Sequence, residues 1–268
     1  MKRLLIAGCG DLGIRLARRL DPGRWAVHGL RRHPEQLPPA IHAISADLLD
    51  PQSLKDIPGD WDSIIYQATP DSRTPETYRR AYVLGLENLL ARCKAGRLIF
   101  VSSTAVYGQS NGEWVDEDSV TQPESFSGQI LLEAESVAAA ASGVTVRFSG
   151  IYGPGRDFLI RSVKSGQAHC RVTPPQWTNR IHAEDCAAAL KHLLELEQPD
   201  RLYCASDSLP VPRCEVLGWL AEQINAAAPN RDAGGQDQGK RVSNRRLVDS
   251  GFSFQYPDFR TGYRELLP

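Results

Sequence analysis

Net charge is nearly absent from this sequence: 31 basic residues stand against 32 acidic ones, leaving −1. That balance excludes broad electrostatic attachment to nucleic acid or to an anionic membrane. No run of eighteen apolar residues occurs, so no segment reads as a membrane-spanning helix. Met1-Lys2-Arg3 followed by Leu4–Ala7 superficially resembles a leader, but the apolar run is shorter than the ~7–15 residues of a signal core. Asp11 also breaks the apolar character soon after it. The segment reads as a buried first strand, and a cytoplasmic location is expected. The six cysteines, Cys9, Cys93, Cys170, Cys186, Cys204 and Cys214, contain no C-x-x-C pair and no zinc spacing. All six read as buried free thiols. No internal repeat is present, and the expected partner is a small molecule, with the chain a monomer or homodimer.

What is present is ordinary for a folded chain: 41% apolar residues and 22 glycines in 268 positions. The first two-thirds alternates short β-rich runs with helical ones. Leu4–Ala7, Ala26–Leu30, Ile41–Ser45, Ser63–Tyr66, Leu98–Val101 and Thr145–Phe148 read as strands, several continuously apolar, as strands covered on both faces are. Leu12–Leu20, Thr77–Lys94 and Gln129–Ala141 read as helices. This alternation predicts an α/β, Rossmann-like, doubly wound parallel sheet. After Phe148 come short helices at Asp157–Ser165, Ala183–Glu197 and Arg213–Ala228, a strand at Arg201–Ala205, and a mobile polar loop at Pro229–Lys240. The expected division is a nucleotide-binding domain over 1–155 with 179–205, and a small substrate-capping domain over 156–178 with 206–268.

Gly8-Cys9-Gly10-Asp11-Leu12-Gly13 comes directly after the first strand and opens a helix. In that context G-x-G-x-x-G is a dinucleotide fingerprint. Gly8 permits the tight turn, Gly10 lets a pyrophosphate approach the backbone, and Gly13 lets the helix pack close to the strand. A ligand-free strand–turn–helix would look the same. An NAD site would place an acid near the end of the second strand to hold the ribose 2′-hydroxyl. About eighteen residues after Gly13 the sequence has Arg31-Arg32-His33, with no carboxylate before Glu35. A guanidinium fork suits a 2′-phosphate, so NADP is preferred over NAD. Two solvated loop arginines are the alternative.

Longer segments resemble the extended short-chain dehydrogenase/reductase family, in an atypical branch of the NAD-dependent epimerase/dehydratase type. They are Asp47-Leu48, Val83–Leu90, Phe100–Gly108, Arg147–Gly155, Arg180–Asp185 and Arg246–Phe252 with Tyr256-Pro257. The resemblance implies adenine contact at Asp47 and Leu48 and further cofactor contacts at Ala68, Ser102 and Ile151. It places Ser103 where the family's catalytic Ser or Thr hydrogen-bonds a substrate oxygen; a capped strand end is the plainer role. Tyr107 and Tyr152 are candidates to replace a missing acid, or packing residues of two Tyr-Gly turns. His182 could shuttle a proton, and Arg156 and Arg180 could clamp a phosphate, though structural or solvated roles fit them as well.

The departures matter as much. The family's catalytic Tyr and Lys lie four residues apart on one helix, where the ammonium lowers the phenol's pKa. By the resemblance Ser127 and Leu131 stand at those positions, and no lysine occurs between Lys94 and Lys164. Two functions are compatible with this: an NAD(P)-dependent oxidoreductase or epimerase-like protein with a non-standard active site, acting on an unknown carbonyl or sugar-nucleotide-like substrate; or a non-catalytic NADP-binding redox sensor or regulatory interaction protein.

Overall fold

A computed structural model describes residues 1–267. Along the chain it runs β1 (Lys2–Ala7), α1 (Asp11–Arg19), β2 (Trp25–Arg31), β3 (His42–Ser45), β4 (Asp60–Tyr66) and α2 (Pro75–Arg79). A π-helical turn (Arg80–Leu84), α3 (Gly85–Arg92), β5 (Lys94–Ser103), β6 (Asn111–Val115), α4 (Phe126–Ala140) and β7 (Val144–Phe148) come next. Then come β8 (Gly150–Tyr152), α5 (Phe158–Lys164), β9 (His169–Thr173), β10 (Trp177–Thr178), β11 (Arg180–His182), α6 (Ala183–Glu195) and β12 (Leu202–Ala205). The principal sheet has seven strands in the order β12-β7-β5-β4-β1-β2-β3. β1 pairs in parallel with both β2 and β4, as does β2 with β3 and β4 with β5. Counting only its own strands, the order is 3-2-1-4-5-6-7, that of a dinucleotide-binding Rossmann sheet with one strand added. The chain reverses direction of travel between β1 and β4, and there a crevice opens at the strand ends.

The elements arise from local sequence. Leu4, Leu5 and Ile6 are all fully buried, which a strand sandwiched between two helical layers requires. Thr74 caps α2 reciprocally with Thr77, and Pro75 sits where its missing N–H costs nothing. Ser125 caps α4 by accepting from the Gly128 N–H at 3.2 Å. α4 then buries Ser127, Ile130, Leu131, Ala134 and Ala138 along one stripe.

The helix expected over Thr77–Lys94 is not uniform. The π turn interrupts it, and the Tyr66 hydroxyl donates to the Ala81 carbonyl within that turn at 2.5 Å. Gly85 lies beneath the same phenol: a Cβ there would stand 2.5 Å from the Tyr66 oxygen. Burial pushes the Tyr66 phenol well above its usual range, so it remains a donor.

Two compact units divide the chain: Met1–Val106 with Pro123–Arg147 and Ala187–Tyr203, and Tyr107–Gln122 with Phe148–Cys186 and Cys204–Pro268. Within the second unit, short strands from its separate segments pair with one another. β15 (Gly239–Val242) pairs with β6, and β11 with β8. β13 (Val211–Pro212), α7 (Arg213–Gln223) and β14 (Asn230–Ala233) complete this region. β14 pairs with β9, so the stretch read as a mobile loop over Pro229–Lys240 instead carries two short strands. A second correction concerns sulfur. Cys9, Cys93, Cys186 and Cys204 are buried thiols, but Cys170 and Cys214 form a disulfide. Cys170 on β9 and Cys214 near the start of α7 are brought to a Cα separation of 5.2 Å, across 44 residues of sequence whose spacing carries no sign of the pairing.

Candidate functional site

In the first unit, the turn after β1 meets the loop after β4. Gly8 has φ +78°, and a Cβ on it would lie 2.5 Å from the Ala68 Cα. Gly13 is hemmed in as well: its Cβ would meet Gln67 Nε2 at 2.6 Å and Cys9 Sγ at 3.0 Å. Both glycines are therefore demanded by the protein's own packing. Gly10 is different. The nearest atom to its Cβ position is the Gly8 carbonyl oxygen, 3.9 Å away. None of the described residues needs a glycine there, whereas a phosphate drawn against the backbone would. Gly10 is also the N-cap of α1, and no side chain caps that helix end. Asp11 at the first helical position instead accepts from Arg15 Nε at 2.8 Å.

A groove of about 430 Å³ opens from this turn. Gly8, Cys9 and Gly10 line its floor; Leu30, Arg31 and Arg32 come from the end of β2; Ala46, Asp47, Leu48 and Leu49 come just after β3. Ala68, Thr69, Pro70 and Asp71 come just after β4, and Thr77, Arg80 and Ala81 belong to α2 and the π turn. Its size and mixed lining suit a nucleotide half. The β3 loop is fixed in place: Asp47 accepts from the Leu49 N–H at 2.9 Å, and Asn88 Nδ2 donates to the Leu48 carbonyl at 2.9 Å. Burial pushes the Cys9 thiol up to about 11, with Arg31 opposing, so it lines the groove as an inert thiol.

Arg31 and Arg32 are not simply solvated. Arg31 donates to Gln36 Oε1 at 3.2 Å. Arg32 forms a two-pronged pair with Asp71, Nη1 to Oδ2 at 2.9 Å and Nη2 to Oδ1 at 2.6 Å. The pair holds the Asp71 carboxyl below its usual range. Asp71, Thr77 and Arg80 were missed in the sequence. Only the topology brings the loop after β4 and the π turn to the β2 end, and a lone Asp after Thr69-Pro70 carries no motif.

The remaining candidates divide between the units. In the first unit, Ser102 and Ser103 end β5. Ser102 Oγ donates to Glu135 Oε1 at 2.6 Å, and Ser103 Oγ accepts from the Ala105 N–H at 3.2 Å. That second bond closes a turn at the strand end and leaves the Ser103 O–H to donate elsewhere. Ser127 and Leu131 are both buried. Beside them a Cβ on Gly128 would meet Pro123 Cβ at 2.4 Å and the Ala105 carbonyl at 2.5 Å, so this end of α4 is closely packed.

In the second unit Tyr107 is buried, and its hydroxyl donates to the Asp116 carbonyl at 2.6 Å and lies 3.0 Å from Cys204 Sγ. Tyr152 is buried against Tyr263, with ring centroids 4.4 Å apart. Burial pushes its phenol well above the usual range. Ile151 lies on β8 in register with Ile181. His182 Nδ1 accepts from the Glu184 N–H at 3.3 Å, a cap at the start of α6, and its ring lies 4.0 Å from that of Tyr256. Arg180 is buried and donates to Thr178 Oγ1 at 2.5 Å. Arg156 is half-buried, its N–H donating to the Gly153 carbonyl at 2.9 Å.

Asp207, also in this unit, is fully buried, and Oδ1 accepts from the Leu209 N–H at 3.3 Å. Burial pushes its carboxyl up to about 7, with Arg180 opposing. The folded protein thus holds this proton more tightly than the unfolded chain, where an Asp titrates near ~3.9. Its contribution to stability is full below about pH 4 and is lost as pH rises toward 7. That loss is on the order of 4 kcal/mol at 1.36 kcal/mol per pH interval. Asp207→Asn is expected to flatten the stability profile between pH 4 and 7 and to exceed the parent's stability at pH 8. Urea midpoints across that range check this, and parallel profiles for the two proteins would overturn it.

Comparison with known proteins agrees with this geometry. The model of the NAD dependent epimerase/dehydratase family matches residues 4–204. A solved structure of a proposed NAD-dependent epimerase/dehydratase from Methylobacillus flagellatus is 38% identical, with a TM-score of 0.84, covering 99% of this chain and 97% of that one. Protein YeeZ of Escherichia coli strain K12 is 28% identical over 276 residues, 96% of this chain and 97% of its own. A 2-alkyl-3-oxoalkanoate reductase of Stenotrophomonas maltophilia strain K279a is 26% identical over 253 residues, 84% of this chain and 76% of that protein. With its glycine turn, its Rossmann strand order and a family match over three-quarters of its length, this chain belongs to the NAD dependent epimerase/dehydratase family.

Proposed function

We propose that this chain is an NADP-binding oxidoreductase or epimerase-like protein with a non-standard proton donor, acting on a small carbonyl or sugar-nucleotide-like substrate. The observation that carries the reading is the groove at the sheet's switch point: Gly10 is open to a pyrophosphate, and the β2 end offers Arg31 and Arg32 with no carboxylate of its own. In this reading Gly8, Gly10, Asp11, Leu12 and Gly13 form the phosphate turn, where the α1 N-terminus favours negative charge. Asp47 and Leu48 flank the adenine, and Arg31 and Arg32 face a 2′-phosphate. Ala68 and Ser102 are further cofactor contacts. The bound nicotinamide would supply or accept a hydride.

The chain's own contribution to the chemistry is a hydrogen bond to the substrate oxygen. Ser103 fits that role, because its oxygen is already anchored by Ala105 and its O–H remains to donate. Tyr107 fits it poorly, since its hydroxyl proton is committed to the Asp116 carbonyl. Buried Ser127 and Leu131 offer no phenol–ammonium pair, which favours a substrate that is easily reduced.

The test is a fluorescence titration of NADPH and NADH. Replacing both Arg31 and Arg32 by Ala is expected to weaken NADPH binding by about 2–4 kcal/mol, given ~1.5–3 for each charge-assisted contact and overlap between neighbours. NADH binding should barely change. Equal losses for the two cofactors would remove the NADP assignment. Tight NADPH binding without turnover across a carbonyl panel would favour the sensor reading.

A further inference from the structure

Two oppositely charged side chains face each other in the nucleotide groove: Arg32 from the end of β2 and Asp71 from the loop after β4, 39 residues apart. The carboxylate takes both terminal nitrogens of the guanidinium in a fork-to-fork arrangement. A phosphomonoester uses the same donors in the same geometry. Both side chains are more than half exposed, at 53% and 68%. An exposed ion pair contributes little to folding, so the groove can open it at little cost. It cannot remove the charge. A 2′-phosphate that takes Arg32 does so with a displaced carboxylate beside it, whereas a 2′-hydroxyl brings no charge and can donate to that carboxylate. Arg80 lies on the same groove and also favours the ionised form of Asp71, so the acid remains charged there.

We infer that Asp71 is a specificity-determining residue of the nucleotide groove: it competes with a ribose 2′-phosphate for the Arg32 fork and narrows the preference that Arg31 and Arg32 would otherwise give. The inference rests on the NADP reading above, and its test is built to separate the two.

Asp71→Asn keeps the side chain's shape and removes its charge at an exposed position. The ligands are adenosine 2′,5′-bisphosphate and adenosine 5′-monophosphate, which differ only in the 2′-phosphate. Their dissociation constants are measured by calorimetry on the parent, on Asp71→Asn and on Arg31→Ala/Arg32→Ala. Asp71→Asn is expected to raise the preference for the bisphosphate by about five- to thirty-fold, a like-charge contact reduced by surface screening. The monophosphate should bind nearly unchanged. An unchanged ratio overturns the inference. A fallen ratio also overturns it, because Asp71 would then be holding Arg32 ready for the phosphate. If the double arginine variant keeps the parent's ratio, the NADP reading fails. If it lowers that ratio while Asp71→Asn leaves it alone, the NADP reading stands and only the role of Asp71 falls. Failure of both nucleotides to bind any of the proteins overturns both.

Discussion

Arg147→Met is expected to destabilise the fold by about 3–5 kcal/mol, the cost of leaving a buried charge without its partner. Arg147 and Glu135 are both buried; Arg147 Nη2 donates to Glu135 Oε2 at 2.6 Å, and Nε to Oε1 at 3.0 Å. Ser102 Oγ donates to the same Oε1 at 2.6 Å. One carboxylate thus ties α4 to β7 and to the end of β5, two strands that carry no other buried charge among the described residues. With the arginine gone, the Ser102 hydroxyl is the one side chain among the described residues that still donates to Glu135. Replacing both partners, Arg147→Met with Glu135→Leu, removes the charge and its need together, and should recover most of the loss. The measurement is the urea midpoint of each variant with the slope checked for constancy. A single variant as stable as the parent would mean that water reaches Glu135. A double variant no better than the single would mean that shape, not charge, sets the cost.

This network also marks how far the sequence could be read. The strand segments of the sheet and the glycine turn were legible because each rests on a pattern local in the chain: buried apolar runs, then G-x-G-x-x-G at a strand–helix junction. Arg31 and Arg32 were legible because they end a strand of known position. Asp71 was not, because its meaning depends on β4 lying next to β1 and on the loop after β4 reaching Arg32, a contact across 39 residues. The π turn at Arg80–Leu84 was hidden for a related reason. Thr77–Lys94 has the apolar spacing of one helix, and what interrupts it is a hydroxyl from a different strand, Tyr66. The Cys170–Cys214 bond escaped notice because neither cysteine sits in a spaced motif; β9 and α7 had first to be placed side by side. Tyr107 shows the limit in another form. A tyrosine in a Tyr-Gly turn near a nucleotide fold reads equally as a proton donor or a packing residue, and which it is depends on whether its hydroxyl is already spent on the carbonyl of Asp116, which sequence cannot place.

The three glycines of the phosphate turn are expected to fail in different ways when each is replaced by alanine, and the difference separates folding from binding. Gly8→Ala puts a methyl 2.5 Å from Ala68 Cα and 2.6 Å from its backbone nitrogen, at a φ of +78°. The obstacle is backbone, so relief requires the β1 and β4 turns to part. Left-handed strain of ~1–2 kcal/mol and overpacking of ~1–3 kcal/mol together predict a loss of roughly 2–5 kcal/mol in stability. Gly13→Ala meets the flexible end of Gln67 first, with Cys9 and Ile6 at 3.0 Å, and should cost less. Gly10→Ala meets nothing nearer than 3.9 Å, and its φ of −97° is open to any residue. Only the N-cap preference for glycine over alanine is lost, so its stability should fall by no more than about 1 kcal/mol. Its methyl, however, stands where the backbone must lie bare for a pyrophosphate to reach the α1 N-terminus. NADPH affinity should therefore fall tenfold or more, about 1.4 kcal/mol at the least. Urea midpoints and NADPH titration on the same preparations give both quantities. A folded Gly10→Ala with undiminished NADPH binding would show that no phosphate approaches this turn, and the cofactor reading of the groove would have to be abandoned.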